Sequence, residues 1–188
     1  NAAAEQSFLD EVAEAMGKDP IDLRLELLKR GKENPVGKNN EYDADRYAGV
    51  LKLVKEKSGW GKPENKKYNR GVAAYFCHNS YAAHVVDMIK KDGQPYVERV
   101  FSAMDCGIVV NPDAATNMVQ GAVVDGIGNA FYGGLMHKDG VPVQNNFNRY
   151  RMIRIHETPK KIEVHFVQND IDPTGLGEPP FPPVFGAV

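Results

Sequence analysis

Little in this chain announces a partner class. It carries only two cysteines, Cys77 and Cys106, and no Cys-x-x-Cys pair. That excludes a cysteine framework for zinc or for several disulfides. The two isolated thiols read as buried residues, and they leave the redox compartment open. No apolar run approaches the roughly twenty residues of a membrane-spanning helix. No basic stripe stands out and the net charge is −2, which argues against nucleic acid as a partner. Internal repeats and low-complexity tracts are missing too. The chain opens on Asn1 rather than Met and stops in Phe185-Gly186-Ala187-Val188, an apolar run where another element should begin. It therefore reads as a piece of a longer protein.

What is present is ordinary globular material, 42% hydrophobic and 26% charged over 188 residues. That is enough chain for one large domain or two small ones, with a sizeable core. Phe8, Leu9, Val12, Ala13 and Met16 form a helical stripe over residues 2–16, closed by Gly17. Asp19 is placed to cap a second helix with Pro20 at its first position, running through Ile21, Leu23, Leu25, Leu27 and Leu28 to Gly31. Residues 32–43 are a polar linker. A third helix, Ala44 to about Ser58, carries Tyr47, Val50, Leu51 and Val54 on one face.

At Gly71 the period changes. Residues 71–77, 81–90 and 95–104 read as strands, the last two joined by a hairpin turn at Lys91-Asp92-Gly93. Asn111-Pro112 opens a long helix over about 113–131. Its three glycines, Gly121, Gly126 and Gly128, cost about 1 kcal/mol each in a helix interior, so the helix should pack closely against a strand or a cofactor. No dinucleotide fingerprint surrounds Gly126-Ile127-Gly128, since no strand-turn-helix with the full glycine spacing is there. Residues 135–137 are strand-like, and the last clear strand is 161–167, with Ile162, Val164 and Phe166 on one face and His165 on the exposed one. The order gives an α+β fold: N-terminal helices, a small mainly antiparallel sheet and one long glycine-containing helix. The division expected is a helical segment over 1–62 and an α+β part over 63–188.

Two features could carry chemistry. His78 and His84 invite a metal reading, but they sit on different elements with no third ligand, so they read as strand histidines and no metal ligand is assigned. The stretch Pro173-Thr174-Gly175-Leu176-Gly177-Glu178-Pro179-Pro180 sets one carboxylate among two glycines and three prolines. Gly175 and Gly177 permit positive φ and close approach, while Pro179 and Pro180 keep Glu178 and Pro179 out of the helical region. Read alone, this is either a proline-rich turn whose Glu faces water or a carboxylate held stiffly for a ligand.

Four motifs then come together: MDCGIVVNPD (104–113), QGAVVDGIGNAFYG (120–133), NNFNRYR (145–151) and PTGLGEPPFPP (173–183). In this order, and with residues 3–28, they resemble the large subunits of the molybdenum hydroxylases, the xanthine dehydrogenase and aldehyde oxidase family, most of all the isoquinoline 1-oxidoreductase beta-subunit type. The resemblance covers nearly the whole chain. It implies the second molybdopterin-binding half of such a subunit, truncated at its C-terminus, in an enzyme that oxidises an N-heterocycle or aldehyde with oxygen from water. It implies molybdenum on molybdopterin, in the cytosine dinucleotide form, with iron-sulfur clusters on a small 2Fe-2S partner subunit. The remainder of the large subunit and a small-molecule substrate complete the partners. Glu178 falls on the family's catalytic base, and burial in its loop should raise its pKa toward neutrality.

Where many relatives carry a pterin-contacting Gln, this chain has Met118. The resemblance therefore implies that Asn117 or Gln120, both expected near the start of the long helix where free N–H groups suit anions, takes over that contact or that it is lost. Gly177 is the third cofactor-binding residue implied. The competing readings are a cofactor-free structural or folding fragment of such a subunit, with no turnover of its own, and a protein-interaction module, for which no exposed apolar helix stands out.

Overall fold

The computed structural model describes residues 1–35 and 42–188. Half of the polar linker expected at 32–43, residues 36–41, lies outside the described residues. Three helices come first: α1 (Ala2–Ala15), α2 (Pro20–Glu33) and α3 (Ala44–Lys57). Asp19 caps α2 as its position predicts, its Oδ1 accepting from the Ile21 and Asp22 amides at 2.9 and 3.1 Å while Oδ2 accepts from Trp60 Nε1 at 2.6 Å. Gly31 does not end α2. The helix runs on to Glu33, and the Gly31 backbone lies beside the Tyr42 hydroxyl.

A four-stranded sheet follows. Strands β1 (Asn69–Cys77), β2 (Ser80–Lys91) and β3 (Gln94–Asp105) are an antiparallel meander. Asp92 and Gly93, both at positive φ, make the two-residue turn between β2 and β3. From β3 the chain crosses through α4 (Pro112–Tyr132) to β6 (Lys161–Phe166), which lies parallel to β3. The sheet is thus mixed, mainly antiparallel. Strand-like residues 135–137 shrink to a small ladder of β4 (His137–Lys138) with β5 (Val141–Pro142).

Each face of the sheet has its own core. On one side Ile21, Val50, Leu51 and Val54 of α2 and α3 pack on Val72, Val85 and Phe101. On the other, Val119, Val123 and Ile127 of α4 pack on Val86, Val100 and Met104, with Ile162, Val164 and Phe166 of β6 alongside. His165 sits on the opposite face of β6, half-buried rather than exposed, and burial lowers its pKa.

The N-terminal helix turns differently from its apolar stripe. Phe8 and Met16 are exposed, and Gln6 is buried in their stead. The Gln6 carboxamide oxygen accepts from Arg24 Nε at 2.9 Å and from the Ala74 amide at 3.0 Å, so a satisfied polar network fixes this face. Opposite Gln6 lies the short helix α5 (Pro182–Ala187), in the apolar run where a further element was expected. A Cβ on Gly186 would stand 2.7 Å from Gln6 Cβ, so α1 and α5 touch backbone to side chain.

The glycines of α4 resolve one by one. A Cβ on Gly126 would stand 2.6 Å from Val184 Cβ of α5, and one on Gly128 would stand 2.8 Å from Ile153 Cγ2. Their partners are a helix and a loop segment, neither a strand nor a cofactor. Gly121 has open space above it.

Candidate active site

The loop 173–181 is held from below at four points. Gly107, at φ +71, lets the chain after β3 lie against Ile171 and Asp172, where a Cβ would collide with both carbonyl oxygens. The Ile108 amide donates to the Ile171 carbonyl and the Thr174 amide to the Cys106 carbonyl, both at 2.9 Å. Ser80, at the start of β2, hydrogen-bonds Thr174 Oγ1 at 2.6 Å and donates to the Gly175 carbonyl. Asp105 anchors the base of this arrangement through Arg46 at 2.7 Å and Asn169 at 3.0 Å, and these bonds outweigh burial to hold its pKa below the usual carboxylate value.

The fourth point is His84, fully buried on β2. The Pro180 carbonyl can only accept, so His84 Nε2 donates to it at 2.8 Å, and Nδ1 accepts from the Ser102 hydroxyl at 2.8 Å. Burial pushes the His84 pKa down to about 4, so the ring is neutral and its one N–H is committed to the loop. In the unfolded chain the ring titrates near its ordinary 6.5. Between those values the unfolded state binds more protons, so stability is full above about pH 6.5 and falls as pH drops toward 4, by roughly 3 kcal/mol at most. Urea melts at about pH 7 and about pH 5 should show the loss, and His84→Gln, which takes up no proton there, should flatten the difference attributable to this site. An unchanged pH dependence in the variant would overturn the assignment.

So held, the loop presents Glu178 outward. Its side chain is 78% exposed, which corrects the expectation of burial. Gly175 and Gly177 do not adopt positive φ either. Gly175 serves close approach, its missing Cβ leaving room for His78 Cβ at 3.2 Å. The rigidity comes from Pro179 and Pro180, both buried, and from the Phe181 amide donating to the Glu178 carbonyl at 2.9 Å.

Glu178 looks into a cavity of about 680 Å³ between the loop, the end of β1 and the flank of α4, lined also by Cys77, Asn117, Met118, Gly121 and Asp125. Gly177 is on its rim. Three of the four residues singled out from the sequence, Asn117, Gly177 and Glu178, thus meet here. Gln120 does not: it faces the neighbouring groove and donates to the Ile162 carbonyl at 3.3 Å. Nor are Asn117 and Gln120 at the helix start. The helix begins at Pro112 under the side chain of Asn111, which accepts from the Ala114 amide at 3.0 Å, so residues 117–120 lie where backbone N–H groups are already paired within the helix. Any contact from this flank must come from side chains.

Two more groups belong here without having been read as site residues, one lining the cavity and one bonded to Glu178. Asp125 brings a second carboxylate, and its spacing from Asn117 and Gly121, two helical turns and one, places all three on one flank. His78 caps the hairpin between β1 and β2, in a turn rather than a strand, and its Nε2 lies 2.8 Å from Glu178 Oε2. Cys77 is half-buried beside them. Burial, and secondarily the Glu178 carboxylate, push its thiol pKa up, so it stays protonated and is no nucleophile near neutrality. A smaller cavity of about 330 Å³, between the three N-terminal helices and β1, is walled by Tyr42, Tyr47, Phe76 and other side chains and does not include the loop.

The donor set tests what such a cavity accepts. Among the described residues no Lys or Arg lines it, so these offer a phosphate no cation. An amide, two carboxylates and open space over Gly121 suit an N–H-bearing heterocycle instead. On that count the residues fit the ring part of a pterin group and not its phosphates.

Comparison with known proteins gives these features a family. The pattern of the family described as "Molybdopterin cofactor-binding domain" matches residues 7–159. The membrane-bound aldehyde dehydrogenase (pyrroloquinoline-quinone) of Gluconacetobacter polyoxogenes is 30% identical over 186 residues, which cover 93% of this chain and 23% of that protein. Isoquinoline 1-oxidoreductase subunit beta of Brevundimonas diminuta is 28% identical over 181 residues, 93% of this chain and 21% of its own length. The chain therefore spans less than a quarter of these curated relatives. Among solved structures, the Cu,Mo-CO dehydrogenase superposes with a TM-score of 0.51 at 21% identity, over 60% of this chain and 16% of that one, a likeness of fold.

Proposed function

The chain belongs to the molybdopterin cofactor-binding domain family, and from that premise we propose that it forms one wall of the active site of a molybdopterin-dependent hydroxylase. The substrate is an N-heterocycle or an aldehyde, the classes printed in the names of its relatives, and the oxygen comes from water. The observation that carries this reading is Glu178, one carboxylate on a loop pinned at four points, facing a cavity with the polar set of Asn117 and Asp125.

The molybdenum group, when bound, supplies the two-electron acceptor and makes the attacking water acidic enough for a carboxylate to deprotonate. The protein's share is to place and desolvate. Asn117 and Asp125 would offer donors and acceptors to the pterin ring, and Gly121 leaves open space beside them on α4. Glu178, in its ionised form, takes the proton at its free carboxylate oxygen. The remainder of the large subunit closes the open side of the cavity and with it the solvent around Glu178. The cytosine dinucleotide form of the cofactor and a small 2Fe-2S subunit as electron acceptor complete the proposed assembly. The 188-residue chain alone turns nothing over on this reading.

Metal and cofactor analysis of the intact subunit tests the proposal: molybdenum and pterin are expected at about one per chain, and a quinone in their place, or neither, would overturn it. Asn117→Ala should then weaken cofactor retention by about 1–2 kcal/mol, roughly five- to thirtyfold. Gln120→Ala should leave it unchanged, because that side chain faces Ile162. Equal losses from both variants would show that the flank of α4 acts as structure only.

A further inference from the structure

We propose that His78 is the positioning residue for Glu178, tying one carboxylate oxygen so that the other is presented to the cavity. This rests on Glu178 being the base. An ionised carboxylate has no proton to give, so in the 2.8 Å contact His78 Nε2 donates and Glu178 Oε2 accepts. Among the described residues no other side chain or amide hydrogen-bonds this carboxylate. A Glu side chain left without a partner, exposed as this one is, would spread over several rotamers.

Both partners stand on anchored backbone. His78 and Asn79 are the two central residues of the tight turn between Cys77 and Ser80, with φ of 52° and 58°. Positive φ at both positions is the type I′ requirement, which Asn and Gly meet at lowest cost, so the turn alone does not call for His. Directly after it, Ser80 is bonded to Thr174 and to the Gly175 carbonyl, and Gly175 packs on His78 Cβ. The hairpin tip and the Glu178 loop are therefore one unit, and the imidazole bridges its two ends. Exposed ion pairs contribute little to stability. What this contact does supply is orientation, which matters where a base must meet its proton within hydrogen-bond reach.

The test uses the intact enzyme with its partners at matched molybdenum content. His78→Asn keeps the turn but is too short to reach Glu178, while His78→Gln restores a donor. With His78→Asn the limiting rate of enzyme reduction by substrate should fall about ten- to hundredfold with KM changed less than about threefold, as for a misplaced catalytic group. His78→Gln should recover to within about fivefold of wild type. Crystal structures of the same proteins should show the Glu178 carboxylate in one position in wild type and His78→Gln and in several in His78→Asn. A His78→Asn enzyme of near-normal rate whose Glu178 keeps its place would overturn the proposal. If instead Glu178→Gln proves fast, the base reading falls, and the carboxylate's position in His78→Asn still decides whether His78 holds it.

Discussion

Glu178→Gln should leave a folded, molybdenum-loaded enzyme that substrate reduces at least about a hundredfold more slowly than wild type, since a positioned base contributes about 10²–10⁴. The fold should survive because no anchor of the loop uses this side chain. Thr174, the Gly175 carbonyl and the Pro180 carbonyl are bonded by Cys106, Ser80 and His84, and Pro179 and Pro180 are buried whatever stands at 178. Gln matches Glu in size, and its amide oxygen can still accept from His78 Nε2. What disappears is the second basic oxygen, the one that His78 does not bind. Rapid mixing of each enzyme with substrate, after matching molybdenum content, separates the outcomes. Reduction of the variant within a few-fold of wild type would make Glu178 an ordinary turn residue and leave the loop's four anchors without a catalytic reason.

The elements around this site were legible where local rules act alone. The change of period at Gly71 marked β1, β2 and β3, alternation marked β6, Asp92-Gly93 marked the hairpin, and Asp19-Pro20 marked the start of α2. The cost of three glycines in α4 foretold close packing, and two of them touch Val184 and Ile153. Periodicity failed at α1 because a polar side chain, Gln6, took the inward position once Arg24 and Ala74 could satisfy it. No periodic signal can price a buried hydrogen bond formed across 68 residues of sequence.

The site divides along the same line. Glu178, Asn117 and Gly177 were reached through motif resemblance, and they do converge on one cavity. The role of His78 was hidden, since its partner is 100 residues away and each His looked like a strand residue. Burial of Glu178 was inferred from the glycines and prolines beside it. Those residues stiffen the backbone, but covering a side chain needs atoms from elsewhere, and stiffness is not burial.

Ile127→Asp, and equally Val123→Asp, should keep the chain from folding cooperatively. Both side chains are at most 1% exposed in the core between α4 and the sheet. Ile127 lies one residue from Gly126 and Gly128, where α4 is already in contact with Val184 and Ile153, so the helix has no room to rotate the new carboxylate outward. Among the described residues the one buried Lys or Arg is Arg24, which is committed to Gln6 and Asp10. The substitution therefore loses the apolar contacts, worth about 2–4 kcal/mol, and adds an unpaired buried charge at several kcal/mol more. Together these rival the roughly 5–15 kcal/mol that holds a typical domain folded. Gly121→Ala on the same helix is the control: nothing lies within 4 Å of a Cβ there, so stability should change by less than about 1 kcal/mol, toward a gain from helix propensity. Thermal unfolding followed by circular dichroism, with solubility recorded alongside, reads both. A soluble Ile127→Asp chain that melts near wild type would mean that α4 does not bury this face.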